Sequence, residues 1–208
     1  MTLYVPPHFR ADDPDQVFDF VQRYAFGTLV SGGSAGLQVS HIPFVAERDA
    51  GGKLRLLGHV ARANAHSQGL EGAQEVLVIF HGPHGYVSPG WYHQHPAVPT
   101  WNYAVVHARG KATLMDEAEL HELLMRLSSI YEDGRPKPWK LSQQPADFVS
   151  GMLKMIVGFA IEVERIEGKF KLSQNRPGEI PRVIAELERE EPALAALMRA
   201  QTKTGDGP

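Results

Sequence analysis

With 208 residues and 43% apolar composition the chain can close a substantial core, so disorder is not the expected state. A net charge of -3, with Lys and Arg spread along the chain, leaves no electrostatic footprint for nucleic acid. The absence of cysteine removes disulfide, thiolate-metal and cysteine-nucleophile chemistry and suits a reducing compartment. No signal-peptide start and no apolar run near the roughly 20 residues of a membrane helix are seen, which points to a cytoplasmic protein without membrane contact.

The first predicted element is a helix capped by Asp12 or Asp13, with Pro14 near its first position and Val17, Phe18, Val21 and Tyr24 at helical spacing; Gly27 ends it. Strand-like runs follow at Gly27 to Ser31, Leu37 to Phe44 and Leu54 to Val60, separated by the turn sequences GGSAG and DAGGK. Glu75 to Phe80 is another short apolar run. Trp101 to Met115 is β-rich, with Val105, His107, Arg109 and Lys111 on one face and Val106, Ala108 and Gly110 on the other.

Asp116, with Glu119 three residues on, caps a second helix whose buried stripe is Leu120, Leu123, Leu124 and Leu127. Ala146 to Ile156 reads as helix and Val157 to Leu172 as strand. Residues 178–201 read as two short helices split by Pro192, and 202–208 as a frayed tail. Short strands with helices inserted late favour an antiparallel barrel with peripheral helices, organised as a single domain over 1–208.

Three segments carry candidate chemistry. His81 to Gly110 holds five of the ten histidines, two of the three tryptophans and four prolines, a composition suited to a loop that holds a ligand. His81, His84, His93 and His95 raise the possibility of a metal, but no HExxH motif or nearby carboxylate completes a site, and the other reading is a loop fixed by its prolines. His107 reads as a barrel-lining histidine, and no serine elbow supports a hydrolase.

Gly58 to Ser67, GHVARANAHS, packs Arg62, Asn64, His66 and Ser67 together. Arg62 offers a fork of donors for two phosphate oxygens, and Asn64 and Ser67 add neutral donors; equally, Arg62 can be a surface arginine and Asn64 a turn residue. Glu167 to Arg176, EGKFKLSQNR, places Lys169, Lys171 and Ser173 on one face of a strand. That face suits a phosphorylated ligand, although a solvated edge strand blunted by lysines is the commoner use.

Taken together, YVPPHF (4–9), GHVARAN (58–64), GPHGYVSPGWY (82–92), VPTWNY (98–103) and IEGKFKLSQNR (166–176) resemble the PaiB family, the FMN-binding negative transcriptional regulators similar to pyridoxamine phosphate oxidases. The resemblance implies a six-stranded antiparallel flavin split barrel with C-terminal helices, and a homodimer with FMN sites at the subunit interface. It places cofactor-binding residues at Arg62, Asn64, Trp101, Asn102, Lys171, Ser173 and Gln174. The phosphate is expected near Arg62 and Lys171, and the ring near Trp101 or Tyr103.

The chain departs from the family pattern at Ala65, Ser67 and Gln68, and at Arg109, where a histidine is usual. The expected function is FMN binding with a regulatory role, acting through flavin-dependent oxidoreduction or sensing. The alternatives are a DNA-binding repressor without flavin turnover, or a haem or metal protein. Against DNA, the last helices carry Glu186, Glu188, Glu190 and Glu191 and no recognition helix is visible.

Overall fold

The computed structural model describes residues 3–33, 36–49, 51–70 and 75–204. After a 3-10 turn at Pro7–Phe9 the elements are β1 (Arg10–Ala11), α1 (Pro14–Arg23), β2 (Phe26–Gly33), β3 (Gly36–Pro43), β4 (Val45–Arg48), β5 (Leu54–Ala61), α2 (His66–Gly69) and β6 (Glu75–Val87). They continue with β7 (Thr100–Leu114), α3 (Glu117–Glu132), α4 (Ala146–Leu153), β8 (Ile156–Lys171), α5 (Ile180–Glu190) and α6 (Pro192–Thr204). Hydrogen bonds order the strands β3-β2-β6-β7-β8-β5-β4, with β1 on β8.

The sheet therefore has eight strands where the resemblance implied six. The additions are short: β1 has two residues, paired Arg10 to Lys169 and Ala11 to Gly168, and β4 has four, paired from Val45–Leu57 to Arg48–Leu54. Phe44 alone separates β4 from β3, and the polar Glu47 of β4 sits opposite Arg55, bonded at 2.9 Å. Strand β6 also runs on through Gly82 and Pro83 to Val87, beyond the apolar run that marks it in the sequence.

The chain forms two compact units, each assembled from separated stretches. One comprises 3–20, 81–106 and 167–204; the other comprises Val21–Phe80 and His107–Ile166. In the second unit Phe44 packs edge-on against Phe80 and Phe159, with ring centres 5.6 and 6.3 Å apart. On the other face of β5 and β8, Val45, Leu57 and Ala160 pack against Leu123 of α3, with Met115 and Leu127 alongside.

Gly27 does not end a helix, because α1 stops at Arg23 and Gly27 lies in β2. A Cβ there would stand 3.0 Å from Phe80 and 3.1 Å from Phe44, so the missing side chain makes room for the aromatic core. The cap of α3 forms as read: Asp116 Oδ1 accepts from Glu119 N, and Glu119 Oε2 accepts from Asp116 N, both at 2.9 Å.

In the first unit Phe20 of α1 packs on Phe170 of β8, ring centres 4.9 Å apart. Helices α5 and α6 bury Val183, Leu187, Leu194 and Met198. Thr202 to Thr204 continue α6, and the remaining tail residues, 205–208, lie outside the described residues, as do Ser34, Ala35 and Ala50 of the two expected turns. Among the described residues no helix is long and apolar enough to cross a membrane.

Candidate functional site

Strand β8 ends with its side chains alternating, and the polar set meets the start of β7 within the first unit. Lys169 is 8% exposed; its Nζ donates to Tyr4 O at 2.9 Å and lies 5.2 and 5.4 Å from the ring centres of Tyr4 and Tyr103. Lys171 Nζ donates to Thr100 Oγ1 and, at 2.6 Å, to Trp101 O. These partners are neutral oxygens, and burial together with the neighbouring Lys169 charge holds the Lys171 ammonium below the ordinary lysine range.

Two neighbouring ammonium groups held by neutral acceptors leave an excess of positive charge that an anion would offset. Ser173 follows with φ 69°, a left-handed backbone that is costly for a residue with a Cβ. Its hydroxyl accepts from Asn102 Nδ2 at 2.8 Å. Asn102 is fully buried, and its Oδ1 has no hydrogen-bond partner among the described residues. Gln174 is spent on its own turn: Oε1 accepts from Leu172 N at 2.7 Å and Nε2 donates to Phe170 O.

Trp101 is 54% exposed and flanked by Tyr86 and His84, ring centres 6.1 and 6.4 Å away. Five of the seven expected residues, Trp101, Asn102, Lys171, Ser173 and Gln174, thus belong to one unit and are linked by direct bonds or chain adjacency. A cation pair, Lys169 buried and Lys171 half-buried, together with an exposed aromatic suits the phosphate and ring chemistry of a flavin mononucleotide.

Arg62 and Asn64 belong to the second unit. Arg62 Nε donates to Lys154 O at 2.8 Å and its Nη2 to Ile156 O at 3.0 Å, so much of the fork closes on the start of β8. Asn64 joins a buried network: Nδ2 donates to Ser40 Oγ at 3.1 Å, and Oδ1 accepts from His66 N at 3.0 Å. His66 holds a serine on each ring nitrogen, Ser31 at Nε2 and Ser40 at Nδ1, both at 2.9 Å. Arg109 pairs loosely with Glu75 at 3.4 Å, and its Nε is buried without a partner.

Of the histidine-rich segment, His81 and His84 lie in β6, with His84 Nδ1 3.5 Å from Gly82 O, while in the loop after it the ring of His93 meets Arg182 and its backbone meets Glu179. Among the described residues no three His, Asp or Glu side chains are grouped as a metal ion requires. The sequence reading missed Glu179, whose carboxylate accepts the backbone N–H groups of His93 and Gln94. Its signal is weak, a lone carboxylate in NRPGEIPR with partners far away in the chain.

A family model described as "Putative FMN-binding domain" matches residues 3–165. The protease synthase and sporulation protein PAI 2 of Bacillus subtilis is 36% identical over 190 residues, 91% of each chain. The uncharacterized protein YKL070W of Saccharomyces cerevisiae is 30% identical over 159 residues, 65% of this chain and 94% of that one. Among solved structures, the flavocytochrome Anf3 from Azotobacter vinelandii superposes with TM-score 0.59 at 17% identity, covering 80% of this chain and 72% of that one.

The FAD and heme binding protein from Mycobacterium smegmatis gives TM-score 0.57 at 12% identity, covering 78% of this chain and 73% of that one. These structures share the fold, a flavin split barrel of mostly antiparallel strands with peripheral helices. The chain belongs to the FMN-binding domain family, and FMN is the cofactor that this membership assigns to it.

Proposed function

We propose that this protein is a PaiB-type regulator that binds FMN through the Lys169 and Lys171 face of its first unit. The carrying observation is the cation pair held by neutral oxygens, which a phosphate would complete. Asn102 and Gln174 act on the polar side by holding the Ser173 turn in place, and Trp101 offers its exposed ring to the isoalloxazine. Arg62 keeps Nη1 for an anion, and Asn64 acts by holding the loop that carries Arg62.

FMN supplies one- and two-electron redox chemistry when bound, and the chain's residues bind, orient and shield it. The regulatory role follows the name of the Bacillus subtilis relative, which concerns protease synthesis and sporulation. Control through flavin state fits this chain better than operator binding, given four glutamates within residues 186–191 and a net charge of -3 for the whole chain. We take it to act in the cytoplasm as a homodimer built from single-domain subunits.

Titration of the cofactor-free protein with FMN, followed by flavin fluorescence, tests the reading. Saturation at micromolar protein is expected, and no change at tens of micromolar would refute it. Sedimentation at twice the monomer mass is the matching expectation for the dimer.

A further inference from the structure

One stretch beyond the family-matched residues, 171–182, ties the histidine-rich loop down at four points, all within the first unit. Lys171 bonds Thr100 Oγ1 and Trp101 O where the loop enters β7. The Arg176 guanidinium lies 4.9 Å from the centre of the Tyr92 ring. Arg182 Nη1 lies 2.7 and 2.6 Å from the two ring nitrogens of His93. Glu179 accepts His93 N at 3.1 and 3.0 Å on its two oxygens, and Gln94 N at 3.0 Å.

These ties are not equivalent. Arg182 is an exposed side chain meeting another side chain, whereas Glu179 is 4% exposed and grips main chain. A carboxylate that accepts two successive backbone N–H groups sets the path of the chain, and such charge-assisted bonds are about twice as strong as neutral ones. Glu179 is itself anchored, since its N–H donates to Arg176 O at 2.9 Å and it stands directly before α5. Tyr92, the residue before the gripped pair, is buried at 5% exposure, and from it the chain runs to Trp101.

We propose that Glu179 is a positioning residue: it fixes the backbone at His93 and Gln94 and thereby holds the Tyr92-to-Trp101 segment as a wall of the flavin site. The clamp stands on its own geometry, and the wall rests on the flavin reading above. A glutamine here keeps the size but loses the charge that strengthens both bonds, and in place of the second oxygen it presents an N–H donor to the N–H of His93.

The test is amide hydrogen exchange on the cofactor-free protein, comparing wild type, Glu179→Gln and Glu179→Asp. Exchange across residues 91–95 of Glu179→Gln is expected to rise by about tenfold or more while β6 and α5 keep their protection, with Glu179→Asp in between. Unchanged exchange in the loop would overturn the clamp. So would an equal acceleration throughout the unit, which marks a merely structural carboxylate.

FMN affinity of Glu179→Gln is expected to drop about tenfold. A freed loop with unaltered FMN binding would overturn the wall and leave the clamp. Should Glu179→Gln not fold, the wild-type amide resonances of His93 and Gln94 serve instead. The groups facing the carboxylate are the His93 ring, Arg182 and Tyr92, with the Arg176 guanidinium over the Tyr92 ring. The two N–H bonds, then the His93 and Arg182 charges, hold its pKa low against burial. Both amides must therefore shift together on acidification with a midpoint below ordinary glutamate, and the absence of that shift would overturn the proposal.

Discussion

His66 is buried to 1% exposure with a serine hydroxyl on each ring nitrogen, an arrangement that satisfies the neutral ring without a carboxylate to favour its cation. Burial lowers its pKa, and burial lowers that of His59 as well. Because the unfolded chain then binds more protons than the folded one, stability is fully present above the ordinary histidine range and is lost as pH falls through it. Denaturant melts should therefore show wild type weakening between about pH 7 and pH 5, with His66→Gln weakening less over that window. Equal slopes would assign the acid sensitivity elsewhere.

The same loop shows why residue roles were only partly legible. ARAN displays a fork and an amide, but the carbonyls of Lys154 and Ile156 that occupy the fork lie more than 90 residues away, and no local pattern reveals them. Lys169 and Lys171 were legible, because alternation in a strand decides which side chains share a face, whereas Ser173 lies past the end of β8 with a left-handed backbone that alternation does not foresee.

At the level of elements, local signals worked where local physics decides the outcome. The Asp116 and Glu119 box starts α3, and Asp116→Ala should cost about 1 kcal/mol in thermal or denaturant unfolding. Strand β4 left no such signal: four residues are too few for a period, and its support is the pairing with β5 and the Glu47 bonds to Arg55 and Arg126. Strands β7 and β8 likewise approach closely at Gly110, where a Cβ would stand 2.0 Å from Glu162 O. Gly110→Ala forces backbone apart, so a loss of at least about 2 kcal/mol is expected; a near-neutral result would show that the strands can separate there.

For the molecule as a whole, the chain crosses repeatedly between two units, and the family-matched residues 3–165 leave the end of β8 and both final helices outside. Yet those later residues supply Lys169, Lys171 and Ser173, so the proposed flavin face is built from contacts between the ends and the middle of the chain. The five motifs made the cofactor legible; the contacts joining residues 4–9, 82–92, 98–103 and 166–176 became visible only in three dimensions.

The central claim is that Lys171 and its neighbours take the FMN phosphate, and it also fixes a pH dependence. Since the Lys171 ammonium titrates below the ordinary lysine range, FMN affinity should fall in mildly alkaline solution, before an unperturbed lysine would lose its proton. The direct measurement is a flavin-fluorescence titration of wild type and Lys171→Met at neutral pH. The account predicts saturable binding to wild type, weakened by about 10- to 100-fold in the variant, as expected for losing a bond to a charged group. Equal affinities of the two proteins for FMN would contradict it.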